Sequence, residues 1–221
     1  VGHSQPSTCD PVFAYLDTQK ALTEDLYRQR IRLAIQRGNV PLTNYLAKQL
    51  PKSDQAWISL RQGMYKHPEM AMKTFKEPDA PLAREILLYG LKRLARKDAD
   101  GAYNYWETYR KQYAFTIEEN AELFRYFALR NAGQNPTKAT ATGWLAAVDK
   151  DFLNDEIYQA RLQQALAKPD WQAVIKFIQS LSTTEQNKEQ WQYWQARALE
   201  QRERIADAEK LFTRASEHRN Y

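Results

Sequence analysis

The four residues Tyr158-Gln159-Ala160-Arg161 recur thirty-six positions later as Trp194-Gln195-Ala196-Arg197, and each copy sits in a helical pattern followed by a turn and a second helical pattern. That spacing is the length of one helix pair. Stacks of such pairs, of the TPR-like or HEAT-like kind, repeat at about 34 to 47 residues and bury a continuous core because each pair's apolar face is covered only by its neighbours.

The rest of the chain supports the same fold class. No run shows clean apolar alternation over six residues, whereas helix signals recur from end to end. The sequence predicts an all-α protein, an irregular α-solenoid (superhelix) of αα-hairpins over a single domain, residues 1–221. Four hairpins are expected. The first runs from Asp25 to Arg37, turns at Gly38-Asn39 and returns from Pro41 to Leu50. The second runs from Leu82 to Lys97, turns at Asp98-Ala99-Asp100-Gly101 and returns through Tyr113. The third joins Asp155–Ala167 to Trp171–Leu181 through Lys168-Pro169-Asp170, and the fourth pairs Lys188–Arg204 with a helix from Ile205 to His218. Asp10-Pro11 and Asp79-Ala80-Pro81 read as helix starts, with Asp capping free N–H groups ahead of a proline in the first turn. Thr116-Ile117-Glu118-Glu119 and Ser182-Thr183-Thr184-Glu185 both have capping-box spacing.

An apolar fraction of 43% is ample for a packed interior. Apolar runs such as Ile86-Leu87-Leu88-Tyr89 stop far short of the roughly 20 residues a membrane span requires, so no span is expected. Val1-Gly2-His3-Ser4-Gln5-Pro6 lacks the basic start and apolar stretch of a secretion signal. The formal charge of +5 favours acidic partners. Most Lys and Arg, however, alternate with Asp and Glu at helical spacing, as in Glu200-Gln201-Arg202-Glu203-Arg204, which is the pattern of a solvated helix face.

Chemistry-bearing constellations are sparse. Trp191 and Trp194 lie three apart on one helix face, and Ala198 and Leu199 continue the stripe; Ala208, Leu211, Phe212 and Ala215 offer a matching face on the next helix. Core packing is the reading for this pair and for Trp57, Trp106, Trp144 and Trp171; an exposed pair would instead make a sugar-stacking platform. Glu118, Glu119 and Glu122 are the densest acidic group, but they occupy a first helical turn, where carboxylates serve the cap and the dipole. His3, His67 and His218 stand far apart, with none at metal-ligand spacing. Cys9, the single cysteine, lacks a local His companion; its partner lies outside the chain or it is a buried thiol. No Gly-rich phosphate loop is present. The residues therefore assign no catalytic, cofactor-binding or metal position, and no cofactor is expected.

Four segments taken in order carry a resemblance: Ser4 to Phe13 (SQPSTCDPVF), Arg30 to Asn39 (RIRLAIQRGN), Trp191 to Glu200 (WQYWQARALE) and the closing His218-Arg219-Asn220-Tyr221. Together the chain resembles the large soluble lytic murein transglycosylases. The end segments are the specific part; from about Pro51 to Leu181 the match is one of degenerate helical pairs. The resemblance implies a periplasmic protein whose helical superhelix curls into a ring. A separate lysozyme-like domain in that family cuts the β-1,4 bond between N-acetylmuramic acid and N-acetylglucosamine and closes a 1,6-anhydro ring, without metal or cofactor. Its catalytic Glu lies in a Glu-Ser motif, and no Glu here precedes a Ser. The expectation is thus a non-catalytic fragment, inactive alone, with peptidoglycan glycan strands and cell-wall proteins as partners. The resemblance also implies a disulfide from Cys9 to a cysteine upstream in longer relatives. A helical-repeat adaptor for a protein partner is the rival class. Nucleic acid is not expected, since regularly repeated base-reading positions are absent.

Overall fold

A computed structural model describes residues 3–136 and 138–217. Val1 and Gly2, His218 as the end of the last helix, and the closing segment to Tyr221 lie outside the described residues. Among the described residues the protein is all-α, with fourteen α-helices, two short 3-10 turns and no strand. It forms two compact units, one of residues through Lys97 with Asn104–Ala114, the other of Asp98–Tyr103 with residues from Phe115 onward.

The first unit contains α1 (Asp10–Thr18), α2 (Glu24–Gln36), α3 (Val40–Ala47), α4 (Asp54–Lys66), α5 (Pro68–Thr74), α6 (Pro81–Ala95) and the later part of α7 (Ala99–Tyr109). Thr23 caps α2 by accepting from Leu26 N–H, and Asn39 caps α3 by accepting from Leu42 N–H, which fixes the first hairpin as expected. Gly38 makes the turn possible: its φ of +70° is left-handed, and a Cβ there would strike the Tyr65 ring. Ile31, Leu46, Met64, Met72, Ile86, Leu87 and Leu91 are fully buried where α2 to α6 pack. Gly90 lets α6 come so close that a Cβ would meet Met64 and Met72. Tyr109 and Tyr113 group with Phe75, ring centroids 5.6 to 6.3 Å apart, and their hydroxyls donate to the carbonyls of Met72 and Glu77.

Several expected helix details differ. Asp10 does not cap α1 but is its first residue, behind Cys9, and no side-chain cap forms there. Asp79 does not cap α6, whose cap residue is Ala80; its carboxylate accepts instead from Arg84 at 2.6 Å and from Ala114 N–H at 3.1 Å. The second hairpin's turn is shorter than its Asp98–Gly101 composition predicts, because Asp98 accepts from Gly101 N–H at 2.8 Å and so puts Ala99, Asp100 and Gly101 in the first turn of α7. The return helix ends at Tyr109 rather than Tyr113.

The second unit holds the start of α7 and α8 (Ile117–Gln134), α9 (Ala139–Ala147), α10 (Asp155–Ala167), α11 (Trp171–Gln179), α12 (Thr183–Gln186), α13 (Glu189–Glu200) and α14 (Ile205–Glu217). The Thr116–Glu119 capping box is complete at both ends. At Ser182 only half the box forms: Ser182 Oγ accepts from Glu185 N–H, but its own N–H donates to Asp155 at 2.7 Å, and the helix it caps is the single turn α12, not the Trp-rich helix. One core joins Leu162, Val174, Ile178, Leu181, Trp191 and Ala198; another joins Ala128, Ala141, Leu145 and Ile157. Hairpins α10–α11 and α13–α14 form as read, and α11 packs on α13. The two repeat copies diverge in one respect: Arg161 donates to the Leu145 carbonyl on a preceding helix, whereas Arg197 pairs with Glu200 one turn along its own.

Candidate functional site: an aromatic cleft on the first hairpin

Helices α1, α2 and α3 border a cleft of about 780 Å³ within the first unit. Each helix supplies an aromatic ring: Phe13, Tyr27 and Tyr45. The caps at Thr23 and Asn39 and the left-handed Gly38 set the angle at which α3 returns along α2. Tyr45 is 62% exposed, and Leu26 and Leu33, on the same face of α2, are exposed as well. Apolar side chains of this size in the open, next to a concavity, mark a surface that meets something.

Arg30 lies one turn along that face of α2. Its guanidinium carbon sits 5.1 Å from the centroid of the Phe13 ring, and its Nε is buried without a hydrogen-bond partner. The Tyr27 hydroxyl is held above its ordinary pKa by burial, with the Asp17 carboxylate adding to the effect, so it is a neutral donor at physiological pH. Gln29 and Gln49 line the cleft too. Flat rings with amide and hydroxyl donors beside them suit a ligand that is ring-shaped and hydroxylated, and Asp10 and Asp17 line the cleft together with Arg30, so its charge is mixed.

The residues weighed from sequence fall elsewhere. Trp57, Trp106 and Trp191 are buried, while Trp144, Trp171 and Trp194 are half-buried. Trp191 and Trp194 both pack in the α10–α13 core, which supports core packing over a sugar platform. Glu119 completes the α8 cap, and Glu118 is exposed with its pKa lowered by hydrogen bonds from its own backbone N–H and from Thr116. Glu69, Asp79 and Asp155 are lowered likewise, the first beside Lys73, the second by Ala114 N–H, the third by Ser182. A lowered carboxyl stays ionised at neutral pH, the opposite of what a general acid needs. His67 and His3 are exposed; Cys9 is half-buried with a free thiol. Among the described residues no cluster of His, Cys, Asp or Glu is placed to hold a metal ion, and no helix is long and apolar enough to cross a membrane. The cleft itself escaped the sequence reading, although one signal was present: the apolar side chains of α2 occupy two faces, and a helix buried on one side needs only one.

No family profile matches the chain. It is 25% identical over all 221 residues to the soluble lytic murein transglycosylase of Escherichia coli strain K12, of which it covers 34%. Among solved structures, the 70-kDa soluble lytic transglycosylase of Escherichia coli superposes with a TM-score of 0.74 at 25% identity, over 96% of this chain and 34% of that one. The lytic transglycosylase Slt of Pseudomonas aeruginosa, as an inactive mutant, gives a TM-score of 0.74 at 26% identity, over 90% of this chain and 32% of that one. The chain thus spans about a third of the length of the curated relatives it matches. Full-length sequence similarity and the shared helical fold agree: along its whole described length the chain is similar to part of the soluble lytic murein transglycosylases.

Proposed function

We propose that this chain is a non-catalytic helical portion of a periplasmic lytic transglycosylase, one that guides peptidoglycan strands and holds the part of the protein where MurNAc–GlcNAc bonds are cut with formation of a 1,6-anhydro ring. The observation that carries this reading is the match along the entire chain to relatives named for murein, over only a third of their length. The succession of hairpins supports treating residues 1–221 as one region, an irregular α-solenoid of the kind that forms rings. The aromatic cleft, with Tyr45 exposed beside it, supports a role in strand handling. A second reading, an adaptor that docks a protein segment, draws on the exposed Leu26, Leu33 and Tyr45.

Incubation with isolated peptidoglycan sacculi separates the outcomes. The chain is expected to co-sediment with sacculi and to release no anhydro-muropeptides. Metal-independent release of such products would place an active site in this chain and overturn the proposal; absence of co-sedimentation would favour the adaptor.

A further inference from the structure

A second cavity, of about 420 Å³, lies in the second unit among α9, α10 and α11. Three donors line it: Arg161 and Gln164, three apart on one face of α10, and Lys168, the residue that follows the helix. Arg161 is held in place, its Nε and Nη2 both donating to the Leu145 carbonyl and its guanidinium lying over the Tyr158 ring. No carboxylate of the described residues pairs with Arg161 or with Lys168 at salt-bridge distance, and burial pushes the Arg161 guanidinium below its ordinary pKa. The Gln164 Nε2 is buried and has no hydrogen-bond partner. Buried donors without acceptors are rare in folded proteins and destabilise unless something fills the role. Phe177, Ala146, Ala165 and Ala173 supply the apolar part of its lining.

We propose that this pocket binds a small molecule with one free carboxylate and a compact apolar group. The carboxylate accepts from Gln164 Nε2 and sits between the two unpaired cations, where charge-assisted hydrogen bonds are strongest. The apolar group rests on Phe177. Asp170 also lines the pocket, and although one of its oxygens is committed to capping α11, its charge disfavours a dianion such as phosphate.

The test is an NMR titration of the isotopically labelled chain with N-acetyl-alanine, N-acetyl-alaninamide and acetate. N-acetyl-alanine is expected to give saturable shifts confined to α9, α10 and α11, with a Kd of about 1 to 10 mM. The amide should bind at least about tenfold more weakly, because it cannot use the charges. Gln164→Leu should abolish the shifts while leaving the melting temperature unchanged or higher, since it removes the orphan donor; a purely structural glutamine would lower it. Lys168→Gln, on the exposed rim, should weaken binding about fivefold with no change in melting. No shift at about 50 mM acid, or equal binding of acid and amide, overturns the proposal. Equal affinity for acetate would make the pocket an adventitious anion site only, which also overturns it.

Discussion

Glu85 on α6 accepts from the guanidinium of Arg61 on α4 at 2.8 Å, and the same carboxylate takes both Nε and Nη2 of Arg32 on α2 at 2.7 and 2.8 Å. Arg61 is only 4% exposed and lies 4.4 Å from the Tyr89 ring centroid. One carboxylate thus serves two cations and ties three helices together. Removing it leaves a buried charge without a counter-ion, with only the Tyr89 ring beside it.

Glu85→Ala is therefore expected to destabilise the protein by about 2–3 kcal/mol, below the ~3–5 kcal/mol of a fully buried pair because water reaches the half-exposed carboxylate. Arg61→Met in the Glu85→Ala background should recover much of the loss by removing the unpaired charge. Urea unfolding measures both. A Glu85→Ala change under about 0.5 kcal/mol would show that the pair contributes nothing beyond solvated surface charges.

Trp191 and Trp194 are distinguished by their surroundings. Trp191 is 6% exposed, and its Nε1 donates to Glu185 at 3.4 Å, whereas Trp194 covers the same core from its edge against Tyr193. Trp191→Ala should cost about 3–5 kcal/mol, the range for a buried large aromatic. Trp194→Ala should cost about half as much, since part of its ring keeps its water. The reverse order in thermal unfolding would mean the α10–α13 core is centred elsewhere.

At Gly38, an alanine must adopt a left-handed φ and displace the Tyr65 ring. Gly38→Ala should lower stability by about 1–2 kcal/mol. In the double variant Gly38→Ala, Tyr65→Leu, the steric part disappears and the backbone part, about 1 kcal/mol, remains. A double variant as unstable as the single would assign the whole cost to backbone strain.

Much of the fold was legible because helix pairing is written locally. Thr116 and Glu119 satisfy each other within one turn, and Asn39 and Asp170 act on residues three positions away. What escaped depends on distant partners. Asp79 and Ser182 carry cap-forming side chains, yet Asp79 is drawn to Arg84 and Ala114, and the Ser182 N–H goes to Asp155, twenty-seven residues earlier. The aromatic cleft was hidden for the same reason, since Phe13, Tyr27 and Tyr45 come together only when α3 folds back on α2.

Stability should fall at both ends of the pH scale, for opposite reasons. Burial raises the Tyr109 hydroxyl to about 12. Its neutral form is favoured in the fold, so the contribution is complete below the ordinary tyrosine value of about 10 and is lost as pH climbs from there through the folded value. Tyr109→Phe should flatten that alkaline limb while losing about 1 kcal/mol at neutral pH with the bond to Met72. Asp155 is depressed, first by the Ser182 hydroxyl and then by its N–H. Its contribution is present above the ordinary carboxyl value of about 4 and is lost as pH falls through the lower folded value, so Asp155→Asn should make the acid limb shallower. Melting temperatures from pH 2 to 12 test both; wild-type and variant curves that run parallel in those windows would refute the assignments.

If the chain contacts peptidoglycan as proposed, salt separates the two contributions to that contact. A net charge of +5 attracts the carboxylates of a cell-wall polymer, but exposed ion pairs are worth about 0–1 kcal/mol each and are screened at high ionic strength. If charge alone mediates contact, sacculi should release the chain at about 0.5 M salt, where the Debye length is only a few Å. Stacking in the cleft is not screened this way. Tyr45, exposed on α3, should carry the salt-resistant part, and Tyr45→Ala is expected to remove it while leaving low-salt binding and the melting temperature nearly unchanged. Arg30→Gln should do the opposite, weakening binding at low salt more than at high salt, because its guanidinium beside Phe13 is the one cation lining the cleft. Retention in high salt that survives Tyr45→Ala would remove the cleft from the glycan path and leave the paired helices as scaffold.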